Sequence, residues 1–152
     1  MSSSRPSNWF NLVSLLVWAI SAAFPLQGAT PGECPQPRFT GKAPDEYYSR
    51  SFPLATAAAN AKLAEAIFLG ESGSENCALC HGRKGNGKGI LANQFDPPPR
   101  NFSCARTIAD VPDGQLFWII RFGSSGTAMP PHPALKDEQV WQLVSYLRQL
   151  AK

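Results

Sequence analysis

Residues 77–81 read Cys-Ala-Leu-Cys-His, and this stretch decides how the rest of the chain is interpreted. Two cysteines that are separated by two residues and followed at once by a histidine form the attachment signature of a c-type haem. Cys77 and Cys80 would form thioethers to the vinyl carbons, and His81 would be the first axial ligand of the iron. A ring edge tethered at Cys80 brings the iron within reach of an imidazole on the next residue. The motif therefore predicts one covalently bound haem c, on a short helical turn that points both cysteines the same way.

Three other interpretations of this motif are weaker: a structural zinc site, a disulfide redox pair, and chance. Zinc needs four ligands, commonly from a second Cys or His pair at short spacing, and only Cys34, Cys104 and His132 remain, far apart in the chain. A thioredoxin-like pair lies at the end of a strand in a βαβ unit, whereas this sequence indicates helices and loops.

Helical periodicity surrounds the motif. The stretches with apolar residues on one helical face are residues 55–69, 113–123 and 137–150. Gly70 and Gly123 are expected to end the first two, and Asp113 is expected to cap the second. Fourteen prolines and 12 glycines against a charged fraction of 16% indicate long loops between short helices. The pattern predicts an all-α domain over residues 55–152.

The second axial ligand, if the iron has one, must come from elsewhere in the chain. Met129 is the only methionine after the initiator, and it lies in the loop sequence GTAMPPHP. Pro130 and Pro131 restrict the backbone there and would hold the sulfur in a fixed position. His132 is the competing ligand. A thioether favours ferrous iron and raises the potential, whereas two imidazoles usually lower it.

The N-terminal residues 1–29 are typical of a signal peptide. A short polar start with Arg5 precedes an apolar run from Trp9 to Phe24. Polar residues interrupt this run, and it is shorter than the ~20 residues that span a bilayer comfortably. We therefore expect cleavage and a periplasmic, exported protein, with an uncleaved signal anchor in the membrane as the alternative.

Residues 30–54 are predicted to be a proline-rich arm, because prolines at this density exclude a helix or a central strand. The arm contains Cys34, and Cys104 lies in the following domain. In an oxidising compartment these two cysteines are expected to form a disulfide. Closing a loop of about 70 residues would contribute on the order of 4 kcal/mol. Free thiols or metal ligation are the alternatives.

The charge balance argues against a nucleic-acid-binding protein. The formal net charge is +3, from 14 basic and 11 acidic residues. A nucleic-acid-binding domain would instead carry a concentrated basic face. The one local cluster, Arg83, Lys84 and Lys88, follows the cysteine motif and could steer an acidic protein partner.

Several motifs together resemble a class I monohaem cytochrome c of the bacterial periplasmic type. They are CALCH, PPPRNF, LFWIIRFG, GTAMPPHP and WQLVSYLRQL. The resemblance covers about residues 55–152 and implies a small fold of three to four short helices, with Met129 as distal ligand. It also implies that the first and last helices cross beside the haem, with Trp141 and Tyr146 at the crossing. The stretch GESGSEN before the motif looks like an insertion, so Ala64 and Phe68 are expected at the crossing in shifted positions.

The function predicted from these features is electron transfer by an iron that cycles between its ferrous and ferric states. The protein would exchange electrons with redox partner proteins, as an exported shuttle or as an electron-entry subunit of a membrane complex. The alternative is a haem enzyme, peroxidase-like or gas-reacting, with an open distal site, and Met129 distinguishes the two. Arg100, in its proline-fixed setting, is expected to pair with a haem propionate.

Overall fold

The computed structural model describes residues 29–37, 40–51, 61–73 and 75–152. The predicted signal segment up to residue 28 and the first part of the first predicted helix, residues 55–60, lie outside them. The described α-helices are α1 (Asp45–Tyr48), α2 (Ala61–Leu69), α3 (Ala78–His81), α4 (Ala105–Ile108), α5 (Asp113–Phe122) and α6 (Asp137–Leu150), and a short 3-10 helix spans Ala92–Gln94. Within these ranges the only β-structure is an isolated bridge between Asn86 and Asn101, which confirms the all-α fold class. No helix in these ranges is long and apolar enough to cross a membrane.

Helices α2 and α6 pack against each other and form the centre of the core. On α2 the buried residues are Ala64, Ile67 and Phe68. The ring of Phe68 lies 5.4 Å from that of Tyr146, centroid to centroid. Complete burial of a side chain as large as Phe68 contributes roughly 1.5–3 kcal/mol. The predicted crossing of the first and last helices is therefore present, with Ala64 and Phe68 on the buried face.

Helix α5 completes the core, and its boundaries agree with the periodicity. Phe117 is buried and packs on Trp141 of α6, with ring centroids 4.5 Å apart. Gly123 ends the helix with φ +80°, a conformation that glycine adopts without strain. The expected cap was wrong, because Pro112 occupies the cap position and the Asp113 carboxylate makes no capping bond. That carboxylate instead accepts hydrogen bonds from the Arg148 guanidinium at 2.8 and 2.9 Å.

The arm contains one helical turn, α1, so the expectation that it holds no helix was wrong. No proline follows Pro44 until after this turn, and the amides of Tyr47 and Tyr48 both donate to the Pro44 carbonyl. The Tyr47 ring stacks on Phe117 at 6.4 Å. A Cβ added to Gly114 would lie 1.9 Å from the Tyr47 carbonyl oxygen. Packing against α5 therefore stabilises a turn that the sequence alone does not favour.

Candidate haem-binding site

A cleft of about 1300 Å³, including its open mouth, lies on one side of the helical core. Its lining includes all four residues expected to bind haem, Cys77, Cys80, His81 and Met129. Much of the remaining wall is apolar and includes Pro97, Pro98, Pro99, Phe102, Ile120 and Leu147. The cleft therefore offers the apolar surface that a porphyrin requires.

His81 is the last residue of α3 and is buried. Its Nδ1 lies 2.9 Å from the backbone carbonyl oxygen of Arg100. A carbonyl can only accept, so Nδ1 carries the hydrogen and Nε2 keeps its lone pair. The pKa of His81 is lowered to about 4, chiefly by burial; the bond to the Arg100 carbonyl opposes this shift, and His132 contributes a smaller lowering effect. The imidazole is therefore neutral near pH 7 and has one nitrogen available to a metal.

Cys77 and Cys80 are not bonded to each other. Burial raises the pKa of the Cys77 thiol to about 11, with a further contribution from Glu75, and burial also raises the pKa of Cys80. Reactive thiol pairs need a lowered pKa, because the thiolate is the attacking species. Nowhere in the described ranges do three or more His, Cys, Asp or Glu side chains form a metal-holding group. The raised pKa of both thiols argues against a reactive disulfide pair.

Met129 is brought back to the end of α5 by its own loop. The Ser124 amide donates to the Met129 carbonyl at 3.1 Å, and the Met129 amide donates to the Thr127 hydroxyl at 3.2 Å. A Cβ on Gly123 would lie 2.9 Å from the Met129 carbonyl oxygen. The side chain of Met129 is partly buried against the core. The loop therefore fixes the backbone of the one methionine that lines the cleft.

His132, the competing ligand, also lines the cleft. Its Nδ1 lies 2.6 Å from Glu75 Oε2, and the two side chains are 17% and 14% exposed. Its amide donates to the Ile120 carbonyl. Glu75 belongs to the stretch that looked like an insertion before the cysteine motif. This pair therefore ties the insertion to the methionine loop, a contact that no local sequence pattern indicates.

Arg100 lines the cleft, but its guanidinium also binds other parts of the chain. It donates to the carbonyls of Pro37 at 2.7 Å, Gln36 at 3.3 Å and Thr107 at 2.7 Å. Its own carbonyl is the one that accepts from His81. The contact of Arg100 with a propionate remains a prediction, whereas its contact with the arm is a feature of the structure.

The arm supplies part of the cleft wall, which the sequence did not predict. Cys34 and Cys104 are joined by a disulfide, with their Cα atoms 5.7 Å apart. Gln36 and Thr40 of the arm line the cleft. The Thr40 hydroxyl also makes a hydrogen bond with the hydroxyl of Ser124, next to the methionine loop. The arm therefore wraps against the domain.

A covalent haem c fits the residues that this cleft brings together. Its apolar wall suits the porphyrin, and the two protonated thiols on one turn suit the vinyl groups. The donor set of a neutral imidazole and a thioether suits iron in an electron-transfer site. We find no feature of the cleft that conflicts with this cofactor.

Residues 61–151 match a family model described as cytochrome c. Among solved structures, a chain of the reducing HAO-like protein complex of Kuenenia stuttgartiensis has a TM-score of 0.53 at 22% identity, covering 68% of this chain and 47% of that one. This chain thus spans about half the length of that protein. A c-type cytochrome named KustC0563 has a TM-score of 0.48 at 26% identity, with coverages of 59% and 98%. Cytochrome cL from Methylophaga aminisulfidivorans has a TM-score of 0.47 at 18% identity, with coverages of 73% and 69%. No curated protein matches significantly.

Proposed function

This chain belongs to the cytochrome c family and transfers electrons through one covalently bound haem, and we propose that it does so as an exported shuttle. The haem-binding residues in this proposal are Cys77, Cys80, His81 and Met129. The observation that carries it is that one apolar cleft contains all four. The two cysteines would hold the ring, and the other two residues would bind its iron.

When bound, the haem supplies an iron that gains and loses one electron. His81 would hold the iron through Nε2, while its Nδ1–H bond to the Arg100 carbonyl orients the ring and increases the basicity of Nε2. Met129 would supply a soft sulfur, which favours the ferrous state. The apolar wall would shield the iron from water. The bonds to the His81 ring and to the Met129 backbone would keep both ligands in place in either oxidation state. No residue has to move a proton.

We place electron exchange at the edge of the cleft near Cys80, because two exposed apolar side chains lie next to it in adjoining segments. Leu79 is 43% exposed and Ile90 is 82% exposed. The amide of Leu91 donates to the Leu79 carbonyl, and that of Gly89 donates to the Cys80 carbonyl, so the two segments lie side by side. An apolar surface of this kind suits brief contact with a redox partner protein.

The basic cluster after the motif contributes less to this surface than its charges suggest. Arg83 lies 3.6 Å from the Glu71 carboxylate. The aliphatic part of Lys88 packs closely against Gly32 of the arm. We therefore assign partner contact to the apolar pair Leu79 and Ile90, with electrostatic steering as a secondary effect.

Export is supported by two independent features. The N-terminal segment has the composition of a signal peptide, and a disulfide between Cys34 and Cys104 is typical of an oxidising compartment. A subunit role is the second candidate, since the Kuenenia structure above is a protein complex. The arm favours the shuttle, because it is folded against its own domain. Purification from native membranes and periplasm tests this choice: a soluble monomer supports the shuttle, and a stable complex supports the subunit.

Optical spectroscopy of Met129→Ala tests the distal ligand. The unaltered protein is expected to be low-spin, with the sulfur-to-ferric-iron charge-transfer band near the red edge of the spectrum. In Met129→Ala the haem stays covalently attached, the band is lost and the ferrous iron binds carbon monoxide readily. His132→Ala is the matched control and retains the band. A band that persists in Met129→Ala contradicts the proposal. A low-spin unaltered protein that lacks the band favours His132, and an unaltered protein that binds carbon monoxide at once favours an open site.

A further inference from the structure

We propose that Gln36, a residue of the proline-rich arm, is a positioning residue for the iron ligand His81. The proposal rests on the function above, because it requires His81 to bind the iron. It assigns the arm a role in tuning the haem, beyond that of covering the cleft.

The side chain of Gln36 holds both neighbours of Arg100. Its amide nitrogen donates to the Pro99 carbonyl at 3.1 Å, and its amide oxygen accepts from the Asn101 backbone amide at 2.6 Å. Between these two anchors lies the Arg100 carbonyl, which accepts from His81 Nδ1 at 2.9 Å. The glutamine therefore fixes the peptide that orients the imidazole.

Gln36 is itself held firmly. It is 7% exposed, and its backbone amide donates to the Thr107 hydroxyl at 3.2 Å. Its carbonyl accepts from the Arg100 guanidinium, and the disulfide of Cys34 lies two residues before it. A buried amide whose donor and acceptor are both used restricts the segment it binds. The contact is thus part of the folded core and not an incidental surface bond.

This arrangement affects the iron through the strength of the bond from His81 to Arg100. A strong Nδ1–H hydrogen bond makes Nε2 a better electron-pair donor to the iron, and this stabilises ferric iron more than ferrous iron. If the Arg100 carbonyl is less well held, the bond weakens. The reduction potential should then rise, although neither ligand has been altered.

The variant that tests this is Gln36→Met in the haem-loaded protein, because methionine has a similar length but cannot replace the two hydrogen bonds. We expect covalent haem and the sulfur-to-iron band to be retained and the potential to be higher. Proton exchange at His81 Nδ1, followed by NMR, should be roughly tenfold faster than in the unaltered protein.

Gln115→Met is the matched control. Gln115 is also completely buried and also binds the arm, accepting from the Ala43 amide at 2.7 Å and donating to the Gly41 carbonyl at 3.1 Å. The hydrogen bonds of its side chain go to Ala43 and Gly41 and not to residues 99–101. Its replacement should lower stability but leave the potential and the exchange at His81 Nδ1 unchanged.

The outcomes separate this inference from the proposed function. An unaltered protein that binds no haem overturns both. A Gln36→Met protein with haem, but with unchanged potential and exchange, overturns the inference alone, as does an equal change in Gln115→Met. If Gln36→Met does not assemble, hydrogen exchange in the unaltered protein provides the test. The Asn101 amide and His81 Nδ1–H should then be equally protected from exchange. Much longer protection of His81 Nδ1–H than of the Asn101 amide contradicts the proposal.

Discussion

The two walls of the cleft are held in different ways. The proximal wall, residues 77–102, is fixed by a buried glutamine and by an arm that a disulfide ties down. The distal wall, residues 123–133, is held mainly by short backbone bonds within its own loop, with single side-chain bonds from Thr40 to Ser124 and from Glu75 to His132. The polypeptide therefore orients the proximal ligand by contacts from distant parts of the chain, and the distal ligand by local ones.

This difference follows the chemistry of the two expected ligands. An imidazole needs a defined tautomer and ring direction, which the Arg100 carbonyl supplies to His81. A thioether has no hydrogen to donate, so Met129 needs only a loop of the right length and shape. Changes on the proximal side should therefore affect assembly and global stability, and changes on the distal side should affect ligation locally.

The largest effect is expected from removing the proximal imidazole. His81→Ala should yield no stable low-spin holoprotein, because the buried Nε2 has no substitute, whereas His132→Ala should retain most of its haem. The chain has only these two histidines, which makes the pair a direct comparison. Haem content, measured as the pyridine haemochrome, checks it. Equal haem loss in both variants would contradict the proposed difference between the proximal and distal walls.

The next largest effect is expected from removing the disulfide that joins the arm to the domain. Cys34→Ala with Cys104→Ala should lower the free energy of unfolding by about 4 kcal/mol, since it opens a loop of 70 residues. Denaturant unfolding of the haem-loaded protein measures this loss. Cys34→Ala alone should lose a similar amount, because the cross-link is absent in either variant. A loss below about 1 kcal/mol would mean that hydrogen bonds alone hold the arm, against the loop-closure argument.

Features that depend on neighbouring residues were predictable from the sequence. The ends of α5 and α6 follow from apolar periodicity and, for α5, from Gly123. The cysteine motif predicted a haem c, which membership of the cytochrome c family confirms. The apolar periodicity and the cysteine motif each involve residues close together in the chain, so both can be identified from one sequence.

Features that depend on distant partners were not predictable. Gln36 meets Asn101 across 65 residues, and Glu75 meets His132 across 57. Glutamine and glutamate are mostly exposed in proteins, and nothing near them in the chain marks these two as buried. The cap predicted at Asp113 was wrong for the same reason. The position of Asp113 in the sequence predicts a helix cap, whereas its hydrogen-bond partner is Arg148, 35 residues away.

A smaller effect is expected from crowding the distal loop. Gly123→Ala forces alanine into a left-handed backbone conformation, which costs about 1–2 kcal/mol of stability. It also places a Cβ 2.9 Å from the Met129 carbonyl oxygen. Gly126→Ala has the same strain at φ +79° but meets nothing within 4 Å. The sulfur-to-iron band should therefore disappear at lower denaturant concentration in Gly123→Ala than in Gly126→Ala. Coincident midpoints would indicate that the loop can shift without moving Met129.

The smallest effect on stability should come from the exposed edge of the proximal wall, where Ile90 is 82% exposed. Ile90→Ser should change the free energy of unfolding by less than about 0.5 kcal/mol. If partners meet the haem at this edge, the variant should weaken the encounter by about 1 kcal/mol and slow electron self-exchange between two copies about fivefold. Leu63→Ser, at a 37% exposed leucine on α2 and not in the proximal wall, is the control and should leave the rate unchanged. NMR line broadening in mixtures of the two oxidation states measures self-exchange without an identified partner. Equal rates for Ile90→Ser and the unaltered protein would move the contact surface away from Cys80 and leave the proximal wall with a structural role only.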